Sequence, residues 1–172
     1  MLHLIDTAAA SGISADYVLF DCWFANPAQI TALKSRKLDV IAMVKKSSRI
    51  KYEYEGEKLN IKQIYAKNKK RRGRSKYLLS VDVMVGKENP VPAKIVCVRK
   101  KANRKDWLAI LCTNPELSEE EIIRIYGKRW QVEVFFKTCK STLNLIGECR
   151  SLSYDALTAH AAIVFTRYML LA

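Results

Sequence analysis

Short, uninterrupted apolar runs near the start of the chain predict two buried strands. Residues 17–20 form one run, which ends at Asp21, and residues 39–44 form a second. Between them, Asn26 and Pro27 are typical of a helix N-cap and first helical position, which predicts a helix over about 27–37. A strand, a helix and a strand at such short separations predict a βαβ unit with parallel, adjacent strands.

The middle of the chain has a different pattern. Alternating or apolar stretches at about 50–61, 77–85 and 92–99 predict antiparallel strands joined by turns that contain Gly and Asn. Residues 67–76 (KNKKRRGRSK) interrupt this pattern with seven basic residues in ten. The apolar run at 107–113 predicts another buried strand, so the all-β stretch is interpreted as an insertion into an α/β framework.

Helical patterns dominate the last third of the sequence. Ser118 and Glu121 have the spacing of a capping box, which predicts a long helix to about residue 143, and a final helix follows from about 154. Polar residues three and four positions apart share one face of the long helix, and apolar residues share the opposite face. The polar face carries Tyr126, Arg129, Glu133, Lys137 and Lys140, and the apolar face carries Ile122, Ile125, Val132, Phe135 and Phe136.

Charge narrows the choice of partner. Thirty Lys and Arg against seventeen Asp and Glu give a net charge of +13, which favours a polyanion, and nucleic acid is the leading candidate. An anionic membrane surface or a ribosomal location is the alternative. Five cysteines without a Cys-x-x-Cys pair indicate neither a disulfide framework nor a structural zinc, so we expect a reducing cytoplasm. No apolar run reaches the roughly eighteen residues of a membrane span, and we expect a soluble protein.

The polar face of the long helix resembles a known signature. Tyr126, Arg129, Glu133 and Lys140 have the spacing Y-x2-R-x3-E-x6-K, which resembles the YREK signature of insertion-sequence DDE transposases. Residues 125–140 and 150–172 are similar to the C-terminal catalytic region of that family. The segment YVLFDCWF, with Asp21, resembles the second catalytic aspartate and its neighbours. The resemblance spans about residues 15–172. Without it, an ordinary solvated face with i,i+4 ion pairs explains the same spacing.

The resemblance implies a fold and a division of the chain. The family has a ribonuclease-H-like α/β core with a β-rich insertion before the helix of the catalytic glutamate. We expect residues 1–45 to form a partial core containing the second aspartate, and residues 46–105 to form the insertion. Residues 106–172 would supply the returning strand, the signature helix and the C-terminal helix.

The resemblance also implies the chemistry. Asp21 and Glu133 would be two of the three carboxylates that hold Mg²⁺ or Mn²⁺ in a two-metal site for DNA cleavage and strand transfer. Tyr126, Arg129 and Lys140 would contact phosphates, with Lys137 on the same face of the helix.

Further aromatic and basic residues have two interpretations each. Trp107 resembles a family tryptophan that stacks on a base, but its offset to Thr113 departs from the family pattern by two residues, and simple packing is the favoured interpretation. Trp23 and Trp130 are predicted to be core residues. The basic segment is either a solvated loop or a non-specific phosphate contact. Its candidate contacts are Lys69, Lys70, Arg71, Arg72 and Arg74.

The first aspartate of a DDE set has no counterpart in this sequence. Asp6 ends a short apolar run, but the fifteen residues from Asp6 to Asp21 are too few for the strands and helix that should separate the two aspartates. We therefore expect a C-terminal transposase fragment that is inactive alone. The alternative is a non-catalytic DNA-binding regulator or inhibitor of transposition, and a different ribonuclease-H-like nuclease, such as a resolvase, is a third.

The family further implies double-stranded DNA as the partner, both as transposon ends and as target. It implies a dimer in a synaptic complex and a bacterial cytoplasmic location associated with the nucleoid.

Overall fold

A computed structural model describes residues 1–71, 73, 75–100, 103, 106–147, 149–151 and 153–171. The chain forms two compact units, Met1–Gly127 and Lys128–Ala172. The first unit is a mixed α/β structure built on one sheet of seven strands, and the second is a pair of helices. Among the described residues, no helix combines the length and apolar character that a membrane crossing requires.

The sheet of the first unit joins a parallel pair to an antiparallel group. Its strand order is β1-β2-β7-β6-β5-β3-β4, and only β1 and β2 are parallel to each other, with Phe20 opposite Ala42. The β-rich middle of the chain therefore continues the same sheet as the first two strands. The strands are β1 (Tyr17–Phe20), β2 (Asp39–Met43), β3 (Tyr52–Tyr54), β4 (Glu57–Leu59), β5 (Leu79–Val85), β6 (Val91–Arg99) and β7 (Trp107–Cys112).

Helix α2 (Pro27–Lys34) connects β1 to β2 and confirms the predicted βαβ unit. The Asn26 side chain accepts a hydrogen bond from the Gln29 amide, as expected for an N-cap, and Ile30 and Leu33 are buried against the sheet. The helix ends three residues earlier than predicted. Lys37 has a φ of 61°, a left-handed conformation that an α-helix cannot continue.

The predicted strand over 50–61 is wrong as a single element. It is a hairpin of β3 and β4, whose turn places Glu55 and Gly56 at φ values of 52° and 78°. Asn60 then begins α3 (Ile61–Lys67), since its side chain accepts from the Lys62 and Gln63 amides while Gln63 caps the Asn60 amide. The short helix was not predicted from the sequence, and neither was α1 (Leu2–Ala10).

Helices cover both faces of the sheet. Residues of α1, α2 and α3 pack on one face together with alternate residues of all the longer strands. On the other face, Ile122 of α4 (Glu119–Gly127) packs against Ile41, Val96 and Ile110. Ser118 and Glu121 form the predicted capping box at the start of α4, with the two side chains 2.7 Å apart.

The predicted long helix to residue 143 is divided in two. Helix α4 ends at Gly127, and α5 (Trp130–Ser141) begins after a turn at residues 128 and 129. The Gln131 and Val132 amides bond to carbonyls three residues back, so α-helical pairing is replaced by tighter turns just after the glycine. In the second unit, Phe135 packs against Phe165 and Tyr168 of α6 (Tyr154–Leu171), the predicted final helix.

Several predicted core positions are exposed. Trp23 is 77% exposed and Trp130 is 62% exposed, and Val132 and Phe136 on the predicted packing face of α5 are also exposed. For α5, the reason is geometric, since its packing against α6 uses Phe135 and not the whole predicted apolar face. For Trp23, the chain turns away from the sheet directly after β1, so its ring lies outside the core.

Candidate nucleic-acid interface

Asp21 lies directly after β1, at the edge of the sheet where the carboxyl ends of β1 and β2 meet. Its Oδ1 atom accepts a hydrogen bond from the Trp23 amide at 2.9 Å, which closes a turn of the type that Asp side chains favour. The side chain is half-buried. The β1–β2 pair thus holds the first candidate carboxylate at a defined position on the sheet.

Cationic residues occupy the same edge because β2 runs parallel to β1. Lys45 and Lys46 follow β2, and the Lys45 ammonium lies 5.3 Å from the centre of the Trp23 ring. Lys46 donates to Asp106 at 2.6 Å and its ammonium lies 4.1 Å from the centre of the Trp107 ring. This edge therefore presents a carboxylate, two lysines and two tryptophans within one unit.

Trp107 is the first residue of β7 at this edge, and its ring contacts both Tyr65 and Lys46. Its ring stacks on Tyr65 of α3 with centroids 4.1 Å apart and planes 12° from parallel. The carboxylate before it, Asp106, has a lowered pKa because the Lys46 ammonium and then the Trp107 amide donate hydrogen bonds to it. Trp107 thus combines a stacking contact with a cation–π contact inside the fold.

Glu133 lies on α5 in the second unit. Its Oε1 atom accepts a hydrogen bond from Nη2 of Arg129 at 2.6 Å, the i,i+4 pair that the spacing predicts. Both residues retain solvent access, and Lys137 and Lys140 on the same helix are exposed. The structure therefore groups Glu133, Lys137 and Lys140 on α5, with Arg129 at its N-cap.

Tyr126 lies on α4 in the first unit, separate from the other three signature residues. It is half-buried and packs beside Ile122 and Ile125 against the sheet. The signature that is continuous in the sequence thus spans two helices and two units.

The basic segment lies between α3 and β5. Arg71 lies over the Tyr77 ring at 4.4 Å, and Lys70 lies over the Tyr65 ring at 4.5 Å. A polar cleft of about 440 Å³ is lined by Lys69, Arg71 and Lys94, with Glu119 at the start of α4. Two predicted contacts, Arg72 and Arg74, lie outside the described residues.

The candidate metal ligands meet only part of the requirement for a metal site. Asp21 and Glu133 supply hard oxygen donors of the kind that Mg²⁺ prefers. However, they lie in separate units, and the described part of the chain contains no cluster of three or more His, Cys, Asp or Glu side chains that could hold a metal ion. The two carboxylates are thus suitable donors without a complete ligand set.

The sequence interpretation missed the exposure of Trp23 and the contacts that organise this edge. The apolar run over 17–20 and its end at Asp21 agree with β1, but the tryptophan two residues later was predicted to be a core residue. The lysines after β2 were not singled out either. Their position immediately after a parallel strand was a usable signal, because the carboxyl ends of parallel strands meet at one edge.

Comparison with protein families gives a match to the transposase DDE domain over residues 1–170. A search of curated proteins found no match.

Proposed function

Because this chain belongs to the family of DDE-domain transposases, we propose that it supplies two of the catalytic carboxylates, Asp21 and Glu133, of an insertion-sequence transposase. The observation that carries the proposal is the edge of the sheet beside Asp21. There a carboxylate held by a backbone hydrogen bond lies on the same edge as Lys45 and Lys46. A carboxylate bordered by cations and an exposed ring suits a reaction on a phosphodiester.

Each carboxylate has its own positioning contact. The Trp23 amide orients the Asp21 carboxylate, and the Arg129 guanidinium orients that of Glu133. In the proposed enzyme both would donate oxygens to Mg²⁺ or Mn²⁺ in a two-metal site. Such ions would supply activation of the attacking hydroxyl and stabilisation of the leaving oxygen. The proposal takes the first aspartate of the set from outside residues 1–172, and we expect no DNA cleavage or strand transfer from these residues alone.

DNA contact in the proposed enzyme is shared among the basic residues. Tyr126, Arg129, Lys137 and Lys140 bind phosphates near the cleaved end, while Lys69, Lys70 and Arg71 hold the duplex without sequence preference. Trp107 is the aromatic candidate among these DNA contacts. The partners are the transposon ends and the target DNA, bound by a dimer in a synaptic complex at the bacterial nucleoid.

The proposed architecture is a ribonuclease-H-like core with a β-rich insertion. In this proposal residues 1–45 belong to the core, 46–105 form the β-rich insertion, and 106–172 return to the core. The parallel β1–α2–β2 unit supports this, because such a core places a carboxylate at the carboxyl end of a parallel strand.

Complementation tests the proposal. The chain is mixed with a polypeptide that contains the first strands and the first aspartate of the core. Cleavage of DNA that carries the insertion-sequence ends is then measured in the presence of Mg²⁺. We expect cleavage by the mixture, and its loss to background with Asp21→Asn or Glu133→Gln. The matched control Glu116→Gln changes an exposed carboxylate next to α4 and retains activity. Cleavage by the chain alone that depends on Glu133 would overturn the requirement for a partner.

A non-catalytic regulator of transposition is the second candidate. The observation that favours it is the net charge of +13. A regulator would bind DNA and inhibit a complete transposase in a mixed reaction. Under the first proposal the complemented chain cleaves DNA, whereas a regulator remains inert in every mixture and lowers the activity of the complete enzyme.

A further inference from the structure

The Trp23 ring is a large exposed aromatic surface next to Asp21 on the sheet edge. It lies two residues after that carboxylate, and 77% of the side chain is open to solvent. A tryptophan normally buries most of its large apolar surface, so a ring exposed to this degree next to a functional carboxylate suggests a binding role.

A cation from the segment after β2 lies beside the Trp23 ring. The parallel register places Phe20 opposite Ala42, so the residues after both strands emerge at one edge. This brings the exposed Lys45 to 5.3 Å from the Trp23 ring centre. A ring beside an ammonium matches the two parts of a nucleotide, a flat base and a phosphate.

The orientation of Trp23 is linked to that of Asp21. The hydrogen bond from the Trp23 amide to Oδ1 of Asp21 holds the backbone of both residues in one turn. The other tryptophan at this edge, Trp107, already stacks on Tyr65. Trp23 therefore offers the more accessible stacking surface of the two.

We propose that Trp23 and Lys45 form a nucleotide-binding platform beside Asp21, on which one unpaired base stacks while Lys45 binds a flanking phosphate. The platform positions the DNA strand relative to the carboxylate and takes no covalent part in the reaction. This inference rests on the proposed function, because it assigns a role in DNA binding.

The test measures binding of two fluorescent DNA probes, a blunt duplex and the same duplex with a single-stranded overhang containing 2-aminopurine. Loss of stacking in Trp23→Ala should weaken binding of the overhang probe by about 5- to 100-fold. Trp23→Phe should retain most of the affinity and Trp23→Leu should not, because stacking needs a π face. Leu4→Ala, which also removes an exposed apolar side chain, is the matched control.

Lys45 has a separate readout. Lys45→Gln should lower the slope of log K against log salt by about 0.7 for the overhang probe, as expected for one phosphate contact on a single strand. Trp23→Ala should leave that slope unchanged. Lys58→Gln, on the strand at the opposite end of the sheet, is the charge-matched control.

Each of the following results would overturn the platform. Unchanged affinity of Trp23→Ala in a chain that binds DNA would reject this inference and leave the proposed function standing. If Trp23→Leu retained the affinity for the overhang probe, Trp23 would be an apolar protein contact. The same would follow if Trp23→Ala lost self-association without any change in DNA affinity. Absence of DNA binding by the unmodified chain would overturn the proposed function and this inference together.

Discussion

Thr113 is the buried polar residue that joins β2 to the end of β7. Its hydroxyl accepts from the Val40 amide at 2.9 Å and donates to the Asp39 carboxylate at 2.7 Å. The Lys34 ammonium pairs with the same carboxylate oxygen at 2.8 Å. One hydroxyl thus connects the antiparallel β2–β7 pair to the end of α2, at the amino end of β2.

Replacing Thr113 with Val should destabilise the fold by about 1–3 kcal/mol, because the Val40 amide would be left buried without a partner. Urea unfolding measures this as a lower midpoint at constant slope. Thr166→Val is the control, since Thr166 is exposed on α6 and its hydroxyl bonds only to the Ala162 carbonyl one turn back. An equal effect of both substitutions would contradict the role given to Thr113.

Asp106 makes the stability of the fold at this edge depend on pH in the acid range. Its pKa is lowered by the hydrogen bond from Lys46 and then by that from the Trp107 amide. A carboxyl whose pKa is lower in the folded chain stabilises the fold above its unfolded pKa. This contribution is lost as the pH falls through the folded value, below about 4.

We expect the difference in thermal midpoint between the unmodified chain and Asp106→Asn to shrink as the pH falls from about 6 towards 3. Lys46→Met should produce the same pH dependence, because it removes the main cause of the shift. A difference that stays constant over this range, measured by circular dichroism, would contradict the assignment.

The start of α4 is the clearest local signal among the helices. The Ser118 hydroxyl accepts from the Glu121 amide, and the Glu121 carboxylate accepts from the Ser118 amide and hydroxyl. Burial of Ile122 then anchors the first turn to the sheet. The cap and the anchor together determine where the chain leaves β7 for the opposite face.

Ser118→Ala should reduce the free energy of unfolding by about 1 kcal/mol through loss of the cap. The control is Ser35→Ala at the C-terminal end of α2, where the Ser35 hydroxyl bonds to the Ala32 carbonyl. We expect this substitution to change the free energy of unfolding by no more than about 0.5 kcal/mol. Both values come from urea titration. A Ser118 effect no larger than the Ser35 effect would show that the capping box adds nothing to stability.

The helices and strands also show where sequence periodicity is sufficient to predict secondary structure and where it is not. The apolar runs of β1, β2 and β7 and the cap of α4 depend on neighbouring residues, and they agree with prediction. The hairpin of β3 and β4 depends on two positive φ values within one short turn, which a mixed apolar pattern does not reveal. The apolar periodicity of the signature segment continues past Gly127 without change, so it does not reveal that the helix is divided there.

At the scale of the molecule, the excess of basic residues predicts DNA binding that depends strongly on salt. We expect the slope of log K against log salt on duplex DNA to fall by about 2–3 when Lys69, Lys70 and Arg71 are all changed to Gln. Equal charge removal at Lys37, Lys58 and Lys87, which are exposed elsewhere, is the control.

The measurement is fluorescence anisotropy of a labelled duplex at several salt concentrations. A smaller change in slope for the basic segment than for the control set would show that the segment is a solvated loop. Equal changes would mean that net charge alone drives binding.

The amino-acid sequence by itself determined the family, the parallel βαβ unit, the cap of α4 and the pairing of Arg129 with Glu133. These features depend mainly on local patterns of residue types, so they can be predicted from the sequence. Tertiary structure decided that Trp23 is exposed, that it lies beside Lys45, and that Trp107 stacks on Tyr65. Those contacts arise because the sheet brings the ends of β1, β2 and β7 to one edge, and strand order is set by packing across the whole unit and not by local pattern.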